Sequence, residues 1–162
     1  MEGNKTINVQ ESIIRCYGER EVKKAEALKC GKCNKVHQYW EKEIITKWPN
    51  TLLIHPNLWN VKDTKENGRV AIKKPHKIDY QNGRLSLGGN ISKDNVKVEY
   101  ELSGIICHRG GAHGGHYYTL MEKEKGRWIK IDDDSIIPLV TGKTLMNGQE
   151  IYLPPKDPNA YF

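Results

Sequence analysis

Residues 110–119 read Gly-Gly-Ala-His-Gly-Gly-His-Tyr-Tyr-Thr, and few folds accommodate four glycines in six positions opening straight into an aromatic β-type run. Glycine enters left-handed backbone regions at no steric cost and lets another chain pass close, so residues 110–115 read as a loop. The run His116-Tyr117-Tyr118-Thr119-Leu120 is rich in strand formers, which puts His116 at the mouth of a strand. Polar residues 122–126 end in glycine and lead into Arg127-Trp128-Ile129-Lys130-Ile131, so an antiparallel hairpin is predicted. With its turn centred on Glu124, His116 faces Asp132. Directly opposed residues share a face with Cβ atoms about 5 Å apart, near enough for a carboxylate to hold an imidazole N–H and fix its tautomer. A slip of one residue brings Asp133 or Ile131 to that place instead.

A histidine oriented by a carboxylate is two parts of a nucleophilic triad, in which the imidazole draws a proton from Ser or Cys and the acid holds the ring. The competing reading is a glycine-rich turn before an ordinary hairpin with one partly exposed histidine. A metal site must also be weighed, because Cys107, His108, His113 and His116 are all potential ligands. Glycines between ligands cost entropy to order, and Cys107 and His108 alternate on a strand, so at most one of them is expected to point inward.

Three short stretches in order and at suitable spacing carry a specific resemblance: residues 100–110 (YELSGIICHRG), residues 114–118 (GGHYY) and residues 128–133 (WIKIDD). Together they resemble the histidine box of the ubiquitin-specific proteases, a papain-like family of cysteine-type deubiquitinating enzymes. Residues 49–55 (PNTLLIH) resemble a further family segment, after which most members read Leu-Lys-Arg-Phe where this chain reads Pro56-Asn57-Leu58-Trp59. The resemblance covers residues 11–162 and corresponds to the later half of a protease domain. It implies that His116 is the general base toward a cysteine, with Asp132 its orienter and Asp133 the alternative. It also implies that Gly114, Gly115 and Tyr117 flank a channel for the Gly-Gly tail of ubiquitin, with His113 on a mobile loop above it. The reaction implied is thiol-dependent hydrolysis after the C-terminal glycine of ubiquitin. The family's cysteine box is absent, since Cys16, Cys30, Cys33 and Cys107 all lack its context, and the chain alone is expected to be inactive. Its partners would be ubiquitin, ubiquitinated proteins and a separate nucleophile-bearing lobe. The alternative is a pseudoenzyme that binds ubiquitin or another partner without turnover.

Composition bounds this reading. At 162 residues the chain is one domain's length. A mean hydropathy of −0.71 with 28% charged residues implies a small core, while the Trp, Tyr and Ile content argues against disorder. The net charge of +6 is spread among acidic residues, as in Lys123-Glu124-Lys125, so a solvated basic surface is expected in place of a nucleic-acid site. No apolar run approaches a membrane span and no hydrophobic segment comes after Met1, so an intracellular setting with reduced thiols is expected.

Cys30-Gly31-Lys32-Cys33 is half of a zinc knuckle. Zinc takes four ligands, and there is no second C-x2-C; Cys16 and His37 are the candidates to complete an irregular site. Resemblance identifies Cys30 and Cys33 with the second cysteine pair of the family's fingers subdomain, either a remnant or half of a structural zinc site. No other cofactor is required. The expected architecture is α+β, a single partial domain over residues 1–162: the later lobe of a papain-like cysteine protease, mostly antiparallel sheet. A fingers remnant lies around residues 30–33 and a palm-like sheet over residues 44–162. A helical region over residues 11–28 is interrupted at Gly18, and a weak strand spans residues 38–45. Residues 52–55 suit a strand buried on both faces, residues 77–80 and 96–102 two more strands with loop between, and residues 158–162 the start of a last strand. An isolated lobe of this kind is expected to expose apolar surface and dissolve poorly.

Overall fold

The computed structural model describes residues 6–23, 26–64, 68–74, 76–146 and 149–157. The expected last strand over residues 158–162 lies outside them. Strands dominate: β1 (Thr6–Asn8), α1 (Val9–Cys16), β2 (Arg20–Val22), β3 (Tyr39–Glu41), β4 (Trp59–Thr64), β5 (Gly68–Lys73) and β6 (Lys77–Asp79). Next in the chain come β7 (Arg84–Gly88), β8 (Lys97–Glu101), β9 (Gly104–Gly111), β10 (Gly114–Glu124), β11 (Arg127–Asp132), β12 (Ser135–Pro138), β13 (Lys143–Met146) and β14 (Gln149–Tyr152).

The chain divides into two compact units, one formed by residues 1–9, 51–85 and 100–162 and the other by residues 10–50 and 86–99. Neither is continuous in sequence, which is why no linker composition marks the division.

The first unit is built on a four-stranded sheet in the order β12-β11-β10-β9, all neighbours antiparallel. One face carries Ile105 and Cys107 of β9, Tyr118 and Leu120 of β10 and Trp128 of β11, which form the buried core with Tyr80, Leu102 and Leu139 at its margin. Burying side chains of this size contributes roughly 1.5–3 kcal/mol each, enough for five of them to fix which face turns inward. On the other face Ile106, Thr119, Ile131 and Ile136 stand opposite one another across the four strands, and Ile106 and Ile136 are exposed. Hairpin β4–β5 and the parallel pair β1–β6 belong to the same unit.

In the second unit Ile91 is fully buried. The Ile45 N–H donates to the Ile91 carbonyl oxygen, the Lys93 N–H donates to that of Ile45, and Trp48 Nε1 donates to Ser92 Oγ at 2.9 Å.

Several expectations need correcting. The helix ends at Cys16, and the segment beyond Gly18 is a strand, because Glu21 and Val22 pair with Trp40 and Tyr39. The strand expected over residues 38–45 is only three residues long. Residues 52–55 form no strand: a strand buried on both faces needs a layer on each side, and Leu53 is 79% exposed. Pairing resumes at Trp59, beyond Pro56, with Leu58 buried just before it. The stretch expected as loop before residue 96 contains β7, which pairs with β8.

Candidate active site

The glycine run is a hairpin and not an open loop. β9 and β10 pair through Gly110↔Gly115 and Gly111↔Gly114, leaving only Ala112 and His113 as the turn, so His116 lies third in its strand. Close packing fixes glycine at position 115. A Cβ there would run into Nε2 of the His108 ring and stand 2.7 Å from the Arg109 carbonyl oxygen and 3.0 Å from His108 Cε1, inside van der Waals contact of both residues.

The second hairpin carries the acid. Its turn is Lys125-Gly126, further along than Glu124, because Gly126 adopts φ +77° and its N–H donates to Glu122 Oε1 at 2.6 Å, with an irregularity between Glu122 and Glu124. Thr119 therefore faces Ile131, and the register differs from the predicted one by two residues. A shift of two preserves the face, since side chains alternate with period two, so His116 and Asp132 remain on one side as diagonal neighbours. His116 Nε2 is in hydrogen-bonding contact with Asp132 Oδ1. The imidazole and the carboxylate are both partly buried.

Asp132 has a second partner. Lys130, two residues earlier on the same strand and face, brings Nζ to 2.6 Å from Asp132 Oδ2 and lies 4.2 Å from the centroid of the Tyr118 ring. Lys130 and then His116 hold the Asp132 carboxyl below the ordinary aspartate range. Tyr118 in turn donates its hydroxyl to Asp157 at 2.7 Å. Asp133, at φ +51°, is exposed, and its carboxylate lies within 4.8 Å of the His116 and Asp132 ligating atoms. Among the described residues this is the one group of three possible metal ligands so close together, and the Lys130 ammonium already supplies a cation to Asp132. No cysteine sulfur of the described residues joins it. Sequence reasoning overlooked Lys130, although its position two residues before Asp132 on a strand was the available signal.

Tyr117 alternates to the opposite face, where it packs on His108 with ring centroids 4.5 Å apart, and Trp59 of β4 approaches the same imidazole at 6.0 Å. Lys73 of β5 donates to the His108 carbonyl oxygen and lies 3.5 Å from its Nδ1. Burial, then the neighbouring ammonium, pushes the His108 imidazole below the usual histidine range. The expectation that only one of Cys107 and His108 points inward fails here: they do take opposite faces, but both faces are covered at that point, and both residues are buried. Burial and the Asp157 carboxylate push the Cys107 thiol up to about 12, opposite to what a nucleophile needs. Gly114, Gly115 and Tyr117 are exposed beside His116.

Cys30 and Cys33 are exposed in the second unit, with Cys33 Sγ 3.0 Å from His37 Nε2. Backbone N–H groups of Cys33 and Lys32 lower the Cys30 thiol. Among the described residues Cys30, Cys33 and His37 do not gather into a cluster of three possible ligands, and Cys16, on α1, completes none with them, where a closed zinc site takes four.

The ubiquitin carboxyl-terminal hydrolase family model matches residues 3–162. The probable ubiquitin carboxyl-terminal hydrolase 16 of Schizosaccharomyces pombe is 29% identical over 130 residues, which is 80% of this chain and 27% of that protein. Human ubiquitin carboxyl-terminal hydrolase 21 is 28% identical over 133 residues, 79% of this chain and 22% of that one. The chain thus spans about a quarter of the length of these curated relatives. Among solved structures, a chain of the SAGA DUB module superposes with a TM-score of 0.64 at 21% identity, covering 85% of this chain and 31% of its own. A strand-rich fold with one α-helix among the described residues, shared with deubiquitinase structures, and a match along nearly all its length define the class. The chain belongs to the ubiquitin carboxyl-terminal hydrolase family, whose members are cysteine-type deubiquitinases.

Proposed function

We propose that this chain is the histidine-bearing, later lobe of a papain-like deubiquitinase, and that it hydrolyses the bond after the C-terminal glycine of ubiquitin only together with a lobe that supplies the cysteine. The observation that carries this reading is the contact between His116 Nε2 and Asp132 Oδ1 in a chain of this family. With Nε2–H held by the carboxylate, Nδ1 is left as the basic nitrogen. His116 Nδ1 would take the thiol proton, and the thiolate would attack the glycine carbonyl carbon. The amine would leave with the proton returned from His116, and water, deprotonated by the same imidazole, would release the acyl group from sulfur. Asp132 orients the ring throughout, with Asp133 as the nearby alternative. Gly114, Gly115 and Tyr117 would border the path of the ubiquitin tail, and at Gly114 nothing lies within 4 Å of where a Cβ would stand, which leaves room for a narrow peptide. Burial of Cys107 and its raised thiol support a nucleophile from outside this chain. No cofactor takes part, and zinc on Cys30 and Cys33 would be structural. Support for ubiquitin as the partner comes from a fold neighbour, the SAGA DUB module solved bound to monoubiquitin.

The test is release of a fluorophore from the C-terminus of ubiquitin by this chain alone and by this chain mixed with the cysteine-bearing lobe of a related hydrolase. Turnover in the mixture, absent from the chain alone and from a His116→Ala mixture, supports the reading. Ubiquitin binding with no turnover in any mixture would replace it with a non-catalytic ubiquitin-binding role.

A further inference from the structure

Asp132 divides its two oxygens between an imidazole and an ammonium. Oδ1 meets His116 Nε2, and Oδ2 lies 2.6 Å from Lys130 Nζ. The lysine is itself confined, because its ammonium lies 4.2 Å from the Tyr118 ring centroid and that ring is anchored by its hydroxyl on Asp157. A cation over an aromatic face beside a carboxylate is held from two sides. Lys130 is therefore a built part of the site and not a free surface charge, even though both partners of the pair keep about a quarter of their side-chain surface in solvent, 26% and 22%.

This arrangement has a chemical consequence for the neighbouring histidine. A carboxylate in contact with an imidazole favours the imidazolium, and a ring protonated on both nitrogens cannot accept a proton from a thiol. Asp133, whose carboxylate lies within 4.8 Å of the His116 ligating atom, also favours the imidazolium, and Arg109, the cross-strand partner of His116 on β9, carries the opposing charge.

We propose that Lys130 is a positioning residue that anchors Asp132 by its second oxygen and offsets its charge, so that the carboxylate orients the His116 ring at Nε2 while drawing less strongly on a second proton at Nδ1. The proposal rests on the reading of His116 as the base. It makes Asp132 an orienter whose electrostatic pull is set by its neighbour, with Lys130 itself touching neither substrate nor reacting atoms. With the ammonium and the imidazole on the two oxygens of one carboxylate in a partly hydrated site, removing the ammonium should tighten proton binding to His116 roughly three- to tenfold.

The experiment is an NMR titration of the His116 ring in this chain, comparing Lys130→Met, Lys130→Gln and Lys130→Arg with the unsubstituted protein. Both neutral variants should bind the His116 proton roughly three- to tenfold more tightly, and Lys130→Arg, which keeps the charge, should stay within about twofold of the original. Lys130→Gln covers the case in which the Met variant folds poorly. Unchanged or weaker proton binding in the neutral variants, or an Arg variant that behaves like them, overturns the proposal. The readout needs no cysteine, ubiquitin or turnover. Failure of the hydrolysis assay therefore removes the deubiquitinase reading and leaves this charge balance measurable, while failure here leaves that reading standing.

Discussion

Gly115→Ala is the smallest change that tests how the site is packed. The added methyl would lie 2.7 Å from the Arg109 carbonyl oxygen and 3.0 Å from His108 Cε1. Neither neighbour yields easily. The carbonyl belongs to a strand paired through eight residues, and the His108 ring is buried against Tyr117 and Trp59 with Lys73 bound to its backbone oxygen. Overpacking of this kind costs about 1–3 kcal/mol, which for a chain of this size lowers the melting midpoint by about 3–10 °C. Urea unfolding of Gly115→Ala, His108→Ala and the double variant separates the two contacts. Removing the ring relieves one clash and leaves the other, so the double variant should be more stable than the sum of the single effects by about 0.5–1 kcal/mol. Because His116 is the next residue, the same variant should also lose hydrolysis in the reconstituted assay, where displacements near about 1 Å are costly. A Gly115→Ala protein within about 0.5 kcal/mol of the original, or strictly additive effects in the cycle, would refute the packing argument.

The same contacts lead to three further expectations. Lys130 and His116 hold the folded Asp132 carboxyl below its unfolded value, so its stabilisation is complete above the unfolded carboxylate range and is lost as pH falls through the folded value. The stability difference between the original protein and Asp132→Asn should therefore be largest near neutrality and vanish in acid, as measured by urea unfolding across pH; a difference that grows on acidification contradicts this sign. Cys16, Cys30 and Cys33 are exposed while Cys107 is buried with a raised thiol, so an aromatic disulfide reagent should titrate three thiols in the native protein and the fourth only on unfolding. Zinc taken up by the chain should depend on the knuckle, with Cys33→Ser lowering affinity at least about tenfold against a chromogenic indicator, since a thiolate that binds the metal directly is lost. Equal affinity in that variant would place any metal elsewhere.

Much of the site could be read from the order of residues because period-two alternation is tolerant of the error made. The turn sits at Lys125-Gly126 and not at Glu124, yet a two-residue slip leaves His116 and Asp132 on one face, where a one-residue slip would have parted them. Glycine content misled in the other direction: residues that permit a loose loop instead allow two strands to approach over the His108 ring, an arrangement set by a side chain on the neighbouring strand. The helix expected beyond Gly18 became a strand because Val22 found a partner at Tyr39, a tertiary choice that local propensity does not encode. The same holds for residues 52–55, whose apolar run looked like a buried strand but belongs to no strand. Cys107 and His108 show the limit of alternation itself, since it assigns faces and says nothing of what covers each one.

Base catalysis at this site depends on which nitrogen of one imidazole carries the proton. Long-range proton–nitrogen correlation spectra of the chain near neutral pH measure this directly. The contact of Nε2 with Asp132 predicts a neutral His116 ring protonated at Nε2 with Nδ1 free, and loss of that preference in Asp132→Asn. A ring protonated at Nδ1, or a tautomer indifferent to Asp132→Asn, would contradict a histidine poised as base for an incoming thiol.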